Sequence, residues 1–305
     1  MTEISIIILT KNAGEKFKTV LSKVLDQDIN KKFEVIVIDS SSEDTTLQIA
    51  QDFKINKIYI IPPEEFDHGL TRNLGTKLAE GKYLIYLPQD AIPFDGIWLR
   101  ELIKPLETNS RIAGVFSRQV PYFEANIFEK FFLSFRYPET ESLKQATSKQ
   151  LTIEDVFFSN VGSCIRKEVL QEIYFPENII MSEDTGWAKK VLEHGYFLFY
   201  NPKAAVYHSH NYDIIRVFQR NFDSGLSLEK LKLFSNKKYI KGAPAYFFQE
   251  IRFIIKKKGW LNFILLLPYL VFYETAHWTG FWLGRYHKIL PYFLKKLVSL
   301  HKKYL

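Results

Sequence analysis

The chain has 305 residues, a length that suits one large domain or two smaller ones. Hydrophobic residues make up 47% and charged residues 25%, a composition that is ordinary for a globular protein and excludes wholesale disorder. The single cysteine, Cys164, excludes an internal disulfide and a cysteine-rich zinc module, while the formal net charge of +7 points to nucleic acid, a membrane surface or an anionic substrate.

Short apolar runs alternate with segments of helical spacing at the start of the chain. The runs predict buried strands at 4–9, 34–38, 57–61 and 82–87. The segments between them predict helices at 14–27, 44–52 and 71–79, the last ended by Gly81. This order predicts an α/β fold with a mostly parallel, doubly wound sheet, in which ligands bind beyond the carboxyl ends of the strands.

The second half of the chain changes character. A helix is predicted from Ser182 to about His194, and a strand at 204–207. From about residue 211 onward the pattern is helical, aromatic and basic. Residues 251–305 hold ten Lys or Arg and one acidic residue, so they carry +9 and the rest of the chain −2. We therefore predict two domains, residues 1–225 and a helical C-terminal extension at 226–305.

Two of the predicted strands end in residues that suit a nucleotide site. Asp39 follows the second strand, where a carboxylate can accept a hydrogen bond from a base imide or a ribose hydroxyl. Asp39 and the serines after it can equally cap the next helix. Thr10 to Gly14, after the first strand, lack the G-x-G-x-x-G fingerprint and the P-loop pattern. A glycine-rich phosphate turn is therefore not expected.

Asp90 follows the fourth strand, where a divalent cation can bridge its carboxylate to a diphosphate. The alternative for this segment is an ordinary turn. His68, Arg72 and Asn73 gather at the start of a predicted helix. The planar guanidinium of Arg72 offers a fork of donors, either for an anionic ligand or for a neighbouring acid.

Two further pairs of residues carry candidate chemistry. Glu183 and Asp184 open a predicted helix, where a carboxylate is stabilised as the anion. Asp184 can act as a general base where an acceptor hydroxyl is held against it, and otherwise the pair forms a capping turn. His208 and His210 follow a predicted strand, on which their rings would share a face. One of them can complete a metal site with Asp90, or both can be structural.

In this order, the motifs resemble those of family 2 glycosyltransferases, which have the GT-A nucleotide-sugar-binding fold. The resemblance covers residues 4 to about 225 and rests on segments 4–12, 39–42, 72–75, 87–91, 160–166 and 182–184. Segment 66–73 and the Gln-Asp-Ala form of the metal motif at 89–91 look most like the rhamnosyltransferase branch. Here Gln89 replaces one acid of the Asp-x-Asp motif that is frequent in the family.

The resemblance implies a role for each matched residue. The nucleotide-sugar site would comprise Thr10, Asn12, Asp39, His68, Arg72, Asn73, Gln89 and Asp90, with Asp39 recognising the base. Asp90 would hold Mg²⁺ or Mn²⁺, assisted by His210 in preference to His208. Asp184 would be the general base, supported by Glu183.

The implied reaction is a single displacement at the anomeric carbon, which inverts the configuration and needs one base and a stabilised diphosphate leaving group. Glycosidases need two carboxylates instead. The expected function is transfer of a sugar, with rhamnose from dTDP-rhamnose favoured, to a glycan or lipid-linked acceptor in cell-surface polysaccharide synthesis. The alternatives are a UDP-hexose-dependent transferase, a sugar nucleotidyltransferase and a non-catalytic membrane-tethered scaffold.

The basic C-terminal region surrounds an apolar and aromatic stretch. Three lysines at 256–258 precede Trp260, and lysines at 295, 296, 302 and 303 follow the apolar run. Basic groups beside Trp, Phe and Leu suit anionic lipid headgroups, whereas no nucleic-acid reader motif is present. We predict a cytoplasmic enzyme that is peripheral at the inner face of the cytoplasmic membrane. The alternative of equal weight is a helical dimerisation element that forms a homodimer.

Overall fold

The computed structural model describes residues 1–55, 57–148, 150–233 and 236–305, with 236–241 described by backbone alone. These residues form two compact units, each built from several stretches of chain. The first unit comprises Met1–Tyr122, Arg136–Asn178 and Glu183–Ser209, and the second comprises Phe123–Phe135, Ile179–Ser182 and His210–Leu305. The boundary suggested by the sequence, at residue 225, falls inside a helix of the second unit.

One mixed sheet occupies the first unit. Its strands among the described residues are β1 Ile4–Thr10, β2 Phe33–Asp39, β3 Lys57–Ile60, β4 Tyr83–Pro88, β5 Ile92–Pro93, β6 Ile112–Val120, β7 Ser142–Lys144, β8 Ser163–Arg166 and β9 Phe197–Tyr207. Their order is β3-β2-β1-β4-β8-β6-β9-β5, and β7 pairs with β9. The four strands predicted first, β1 to β4, therefore lie side by side at one end of the sheet.

Only this end of the sheet is wholly parallel. β1 pairs in parallel with β2 and β4, and β2 pairs in parallel with β3, as the sequence predicted. β8 runs antiparallel to both β4 and β6, while β6 and β9 are again parallel. The α/β class is confirmed, but the parallel arrangement stops at β4. β8, which is antiparallel to both of its neighbours, interrupts the parallel order.

Helices cover the sheet and build the second unit. They are α1 Lys16–Leu25, α2 Thr46–Asp52, α3 His68–Leu78, α4 Trp98–Thr108, α5 Ile127–Arg136, α6 Lys167–Glu172, α7 Glu183–Glu193, α8 Ile214–Lys230, α9 Asn236–Lys258, α10 Trp260–Arg285 and α11 Tyr292–Val298. The apolar face of α1 and that of α4, which includes Trp98, pack against alternate residues of β1, β2 and β4. This packing fixes the carboxyl ends of the strands, where the candidate site residues lie.

The helix predicted at 71–79 begins earlier and ends differently. Asp67 caps α3, because its carboxylate accepts the N–H of Leu70 at 2.8 Å. The helix therefore contains His68 and Arg72 in its first turns. The prediction that Gly81 ends the helix is wrong, since α3 stops at Leu78. Gly81 instead lies against the backbone of β1, where a Cβ atom would meet Ile4 at 2.6–2.8 Å.

The second unit is helical, and α8 packs closely on α10. Glycines permit this approach, because a Cβ on Gly280 or Gly284 would meet the carbonyl oxygen of Phe218 or Phe222. Buried Asp223 in α8 accepts hydrogen bonds from the Ser299 hydroxyl and two backbone N–H groups beyond it, which ties down the end of the chain. Within the described ranges, every helix is too short or too polar to cross a membrane.

Candidate active site

The loop after β1 is joined to the loop after β2 by side chains of both. Thr10 donates from its hydroxyl to Asp39 at 2.6 Å, and Ser42 donates to the same carboxylate from its N–H and hydroxyl at 2.6 and 2.7 Å. Asn12 accepts the N–H of Glu43 at 2.9 Å. Asp39 is fully buried at the centre of these contacts, so its carboxylate sets the shape of both loops.

The start of α2 decides between the two interpretations of Asp39. Asp44 accepts the N–H of Thr46 at 3.0 Å and the Thr46 hydroxyl at 2.5 Å, so Asp44 serves the beginning of this helix. Asp39 makes its contacts within the preceding loop and with β1 instead. The helix-capping interpretation of Asp39 is therefore wrong, and recognition of a base by this residue stays a prediction.

Gln89 fastens the end of β4 to the end of β1. Its carbonyl accepts the N–H of Lys11 at 2.6 Å, and its NH₂ group donates to the Lys11 carbonyl at 3.1 Å. An aspartate cannot make this two-way pair, because an ionised carboxylate has no donor. The Gln89 amide therefore has a structural use in this chain.

A cavity of about 220 Å³ opens beside this pair, at the carboxyl ends of β1 and β4. Four predicted binding residues line it together, namely Thr10, His68, Arg72 and Gln89. Its floor includes apolar side chains of the strands, such as Ile7. Cavities of this kind, with an apolar lining and a few convergent polar groups, are the usual form of a small-molecule site.

Asn73 is turned to a structural contact on the other side of α3. Its NH₂ group donates to the carbonyl of Phe175 at 3.0 Å and to Glu177 at 3.1 Å, and its carbonyl accepts the Phe175 N–H at 3.1 Å. Both ends of the amide are thus engaged by the segment before α7. A contact between Asn73 and the nucleotide sugar stays a prediction.

An ion pair links the cavity to the start of α7. Arg72 lies 2.7 Å from Glu183, and the two side chains are only 12% and 7% exposed. Burial acts to raise the pKa of Glu183, but the charges of Arg72 and His68 hold that pKa below its ordinary value. The Nε–H of Arg72 is buried without a hydrogen-bond partner among the described residues. Arg72 therefore neutralises Glu183 while it also lines the cavity.

Asp184, next to this ion pair, has the opposite electrostatic environment. Burial of its carboxyl, together with the negative charge of Glu183, raises the pKa of Asp184 to about 7. The carboxyl accepts the N–H of Asn160 at 3.2 Å and its own helix's Thr185 N–H at 2.7 Å, which fixes its direction. Two adjacent carboxyls with separated pKa values are the usual sign of divided acid–base roles. The arrangement suits Asp184 as a proton acceptor near neutral pH.

Asp90 and His208 come together just beyond the ends of β4 and β9. Oδ1 of Asp90 lies 3.6 Å from Nε2 of His208, and the backbone carbonyl of Asp90 accepts the hydroxyl of Tyr122 at 2.8 Å. Nδ1 of His208 faces Gln119 at 2.9 Å. A carboxylate oxygen and an imidazole nitrogen at this separation are suitable donors for one divalent cation.

His210 is the first residue of the last stretch of the second unit, and its role as a metal ligand stays a prediction. Its N–H donates to Glu129 at 3.2 Å, and its ring stacks on Tyr212. The prediction that His208 and His210 share the face of a strand is wrong, because β9 ends at Tyr207.

Sequence reasoning missed the groups that hold the candidate residues in place. Gln119, near the end of β6, contacts His208, and Asn160, before β8, contacts both Glu183 and Asp184. The sequence offered little signal for Gln119, because it directly follows Ser117 and Arg118 in β6, and only the structure shows that it is buried at 6% exposure. Such a residue needs a partner inside the protein.

Comparison with known proteins identifies the family. The model of the family described as Glycosyl transferase family 2 matches residues 5–174, more than half of the chain. The chain belongs to glycosyl transferase family 2. The resemblance to family 2 glycosyltransferases that was inferred from the sequence motifs is thus confirmed.

The curated relatives of this family 2 chain include two rhamnosyltransferases. The O-antigen chain rhamnosyltransferase RfbN of Salmonella typhimurium is 33% identical over 307 residues, which cover 99% of this chain and 96% of the relative. The O-antigen chain rhamnosyltransferase WbaN of Salmonella anatum is 32% identical, covering 100% of this chain and 96% of the relative. The protein is therefore a rhamnosyltransferase-like family 2 glycosyltransferase of polysaccharide synthesis.

Solved structures support the GT-A fold. The mannosyltransferase PcManGT from Pyrobaculum calidifontis, in complex with GDP-Man and Mn²⁺, matches 94% of this chain and 86% of its own with a TM-score of 0.61 at 14% identity. Residues 1–349 of TarS from S. aureus, in complex with UDP-GlcNAc, match 94% of this chain and 91% of their own with a TM-score of 0.53 at 17% identity. At these identities the likeness establishes the fold.

Proposed function

We propose that the protein is an inverting glycosyltransferase that moves rhamnose from dTDP-rhamnose to a glycan or lipid-linked acceptor. One observation carries the mechanism: Asp184 is a single carboxyl with a pKa raised to about 7, beside a Glu183 that is already neutralised by Arg72. The choice of rhamnose is supported by the names of the two relatives that match nearly the whole chain. One base is what a single displacement requires.

In this proposal the donor occupies the cavity at the ends of β1 and β4. Thr10 and Gln89 border the nucleotide, while the positive charge of Arg72, which also lines the cavity, attracts an anionic oxygen of the donor. Asp39 supports recognition of the base through the loops that it holds. Asp184 accepts the proton of the acceptor hydroxyl while the oxygen of that hydroxyl bonds to the anomeric carbon. The bond to the diphosphate oxygen breaks, and its electron pair leaves with the diphosphate.

We further propose that Asp90 and His208 hold Mg²⁺ or Mn²⁺. The residues fit such an ion, because an oxygen and a nitrogen donor converge at 3.6 Å and the Asp90 side chain is 41% exposed. When bound, the cation would neutralise negative charge on the diphosphate leaving group. Asp90 directly follows Gln89, which lines the cavity.

Nucleotide selectivity tests the donor assignment. We expect dTDP with Mn²⁺ to raise the melting temperature more than UDP, since binding at 100 times Kd adds about 2.7 kcal/mol of stability. We also expect dTDP-rhamnose with acceptor to release dTDP. The control is ADP, which should have no effect. Stabilisation by UDP with turnover of UDP-glucose or UDP-galactose would replace the proposal with a UDP-hexose transferase, and absence of binding by any of them would contradict it.

We also propose that the second unit contacts the inner face of the cytoplasmic membrane, where a lipid-linked acceptor would lie. The last turn of α9 carries Lys256, Lys257 and Lys258, which are all exposed. Trp260, the first residue of α10, is exposed as well. Further along α10, Leu261 and Leu265 are each 78% exposed. Cations beside exposed Trp and Leu match the charge and apolarity of an anionic lipid surface.

Changing the apolar side chains separates membrane contact from dimerisation. Leu261→Gln with Leu265→Gln should weaken binding to phosphatidylglycerol-containing vesicles by at least about tenfold, because each leucine buried in lipid contributes about 1.5–3 kcal/mol. The matched control is Ile215→Gln, a similarly exposed site on α8. Co-sedimentation measures binding, and sedimentation velocity measures self-association. Unchanged vesicle binding with loss of a dimer would establish the homodimer alternative instead.

A further inference from the structure

Gln119 connects the proposed cation site to the interior of the first unit. It lies near the end of β6, is 6% exposed, and its side-chain carbonyl is 2.9 Å from Nδ1 of His208. The other ring nitrogen of His208, Nε2, faces Asp90 at 3.6 Å. The imidazole is therefore held between an amide on one side and a carboxylate on the other.

Two hydroxyl groups contact the NH₂ end of the Gln119 amide in this structure. Its NH₂ group donates to the hydroxyls of Tyr137 and Ser159, the latter at 3.1 Å. Tyr137 and Ser159 are both buried, so neither contact is exchanged freely with water. With the NH₂ group engaged by these oxygens, the carbonyl is the end of the amide that meets the imidazole. A carbonyl can only accept, so Nδ1 of His208 must carry the proton.

We infer that Gln119 is a positioning residue that selects the Nδ1–H tautomer of His208 and thereby directs the lone pair of Nε2 toward a cation shared with Asp90. The inference rests on the proposed function, in which these two residues hold the divalent cation. The protonated nitrogen of an imidazole is set by the hydrogen bond that the ring makes on its other side. Partners of this kind commonly control metal affinity about 10- to 100-fold.

The tautomer also explains why Asp90 and His208 lie near one another without a normal hydrogen bond. In the Nδ1–H form, Nε2 and the Asp90 carboxylate both present lone pairs, and their 3.6 Å separation exceeds the usual hydrogen-bond distance. A cation between the two groups would relieve that repulsion. The opposite amide orientation would place a proton on Nε2, where it would donate to Asp90 and compete with the cation.

Nitrogen-15 NMR of the imidazoles in the metal-free protein distinguishes these two forms directly. The chain has seven histidines, and the His208 signals are assigned by their loss in His208→Asn. We expect the Nδ1–H form for wild-type His208 and a mixture of forms in Gln119→Leu. An Nε2–H form in the wild type would overturn the inference, whatever its effect on activity.

Cation binding by itself provides the second readout. Titration with Mn²⁺ alone, followed by electron paramagnetic resonance, should give a Kd that is about 10- to 100-fold weaker in Gln119→Leu. Gln119→Glu, which keeps an acceptor for Nδ1–H, should retain most of the affinity. The matched control is Asn201→Leu, which removes another buried amide of the same sheet, one that contacts Glu101 rather than His208.

The outcomes separate this inference from the proposed function. If wild type binds Mn²⁺ and Gln119→Leu binds it equally well, the positioning role falls and the cation site stands. If neither wild type nor Asp90→Ala binds Mn²⁺, the proposed cation site is wrong, and the inference that depends on it is wrong as well. Weakening in Asn201→Leu as large as in Gln119→Leu would assign the effect to general destabilisation and would also overturn the inference.

Discussion

Asp184→Asn is expected to lower kcat for glycosyl transfer by about 10²- to 10⁴-fold, the usual contribution of a general base. Asparagine has nearly the same shape, and its carbonyl can still accept the Thr185 N–H that Asp184 accepts at 2.7 Å. What it loses is the capacity to take up the acceptor proton. Donor binding should be unchanged, because the ion pair of Arg72 with Glu183 remains in place.

The pH dependence of the wild type gives the same prediction a second readout. Because burial and the charge of Glu183 raise the pKa of Asp184 to about 7, kcat should rise with pH as this carboxyl loses its proton near neutrality. The variant's residual activity should lack that step. An activity that falls as pH rises through 7 would exclude Asp184 as the base.

The contribution of Asp184 to the stability of the folded protein should fall as pH rises, whereas kcat should rise. A carboxyl whose folded pKa is raised binds a proton more tightly in the folded state, so its contribution to stability declines as pH rises from its unfolded value of 3.8 toward 7. Asp184→Asn removes that decline, so above pH 7 the variant should be at least as stable as wild type in urea unfolding. The matched control is Asp213→Asn at the start of α8, where asparagine is an equally good helix cap. It should leave both kcat and its pH profile unchanged.

The sequence could predict the parallel end of the sheet because local patterns determine it. Each of β1 to β4 is a short apolar run bounded by polar residues, and sequential parallel strands follow one handedness rule. β8 could not be predicted from such a pattern, since Ser163–Arg166 is short and pairs with strands distant in sequence. The same holds for Gly81, whose position is set by contact with β1 rather than by the end of α3.

The candidate site likewise has one part that the sequence predicts and another that depends on the folded structure. Residue type and position, at a strand end for Asp90 and at a helix start for Arg72 and Asp184, were enough to select these residues, because few side chains can bind an anion, bind a cation or accept a proton there. The environments that give these residues their chemistry depend on tertiary contacts. Asp184 has its raised pKa through burial and Glu183, and the orientation of His208 depends on Gln119, which is 89 residues away in sequence.

Arg72→Met is expected to reduce stability by about 3–5 kcal/mol, the usual cost of removing one partner from a buried ion pair. Glu183 would then be a buried carboxylate beside Asp184 that has lost its ion-pair partner at 2.7 Å. Because Glu183 would take up a proton to avoid this charge, the loss should be smaller at low pH. Urea unfolding measures the free energy at each pH.

A second substitution tests whether this cost arises from the unpaired charge. Arg72→Met with Glu183→Gln should recover most of the lost stability, because residue 183 no longer carries a buried charge that needs a partner. Transfer should stay impaired, since the cavity still lacks the positive charge that Arg72 presents to an anion. The control pair is Arg100 with Asp28, which is exposed and 3.4 Å apart; Arg100→Met should cost less than about 1 kcal/mol. If Arg72→Met cost no more than Arg100→Met, the ion pair would not be the element that fixes α3 to the start of α7. If the double variant recovered transfer together with stability, Arg72 would serve only to neutralise Glu183, and the donor diphosphate would have to be bound by other groups.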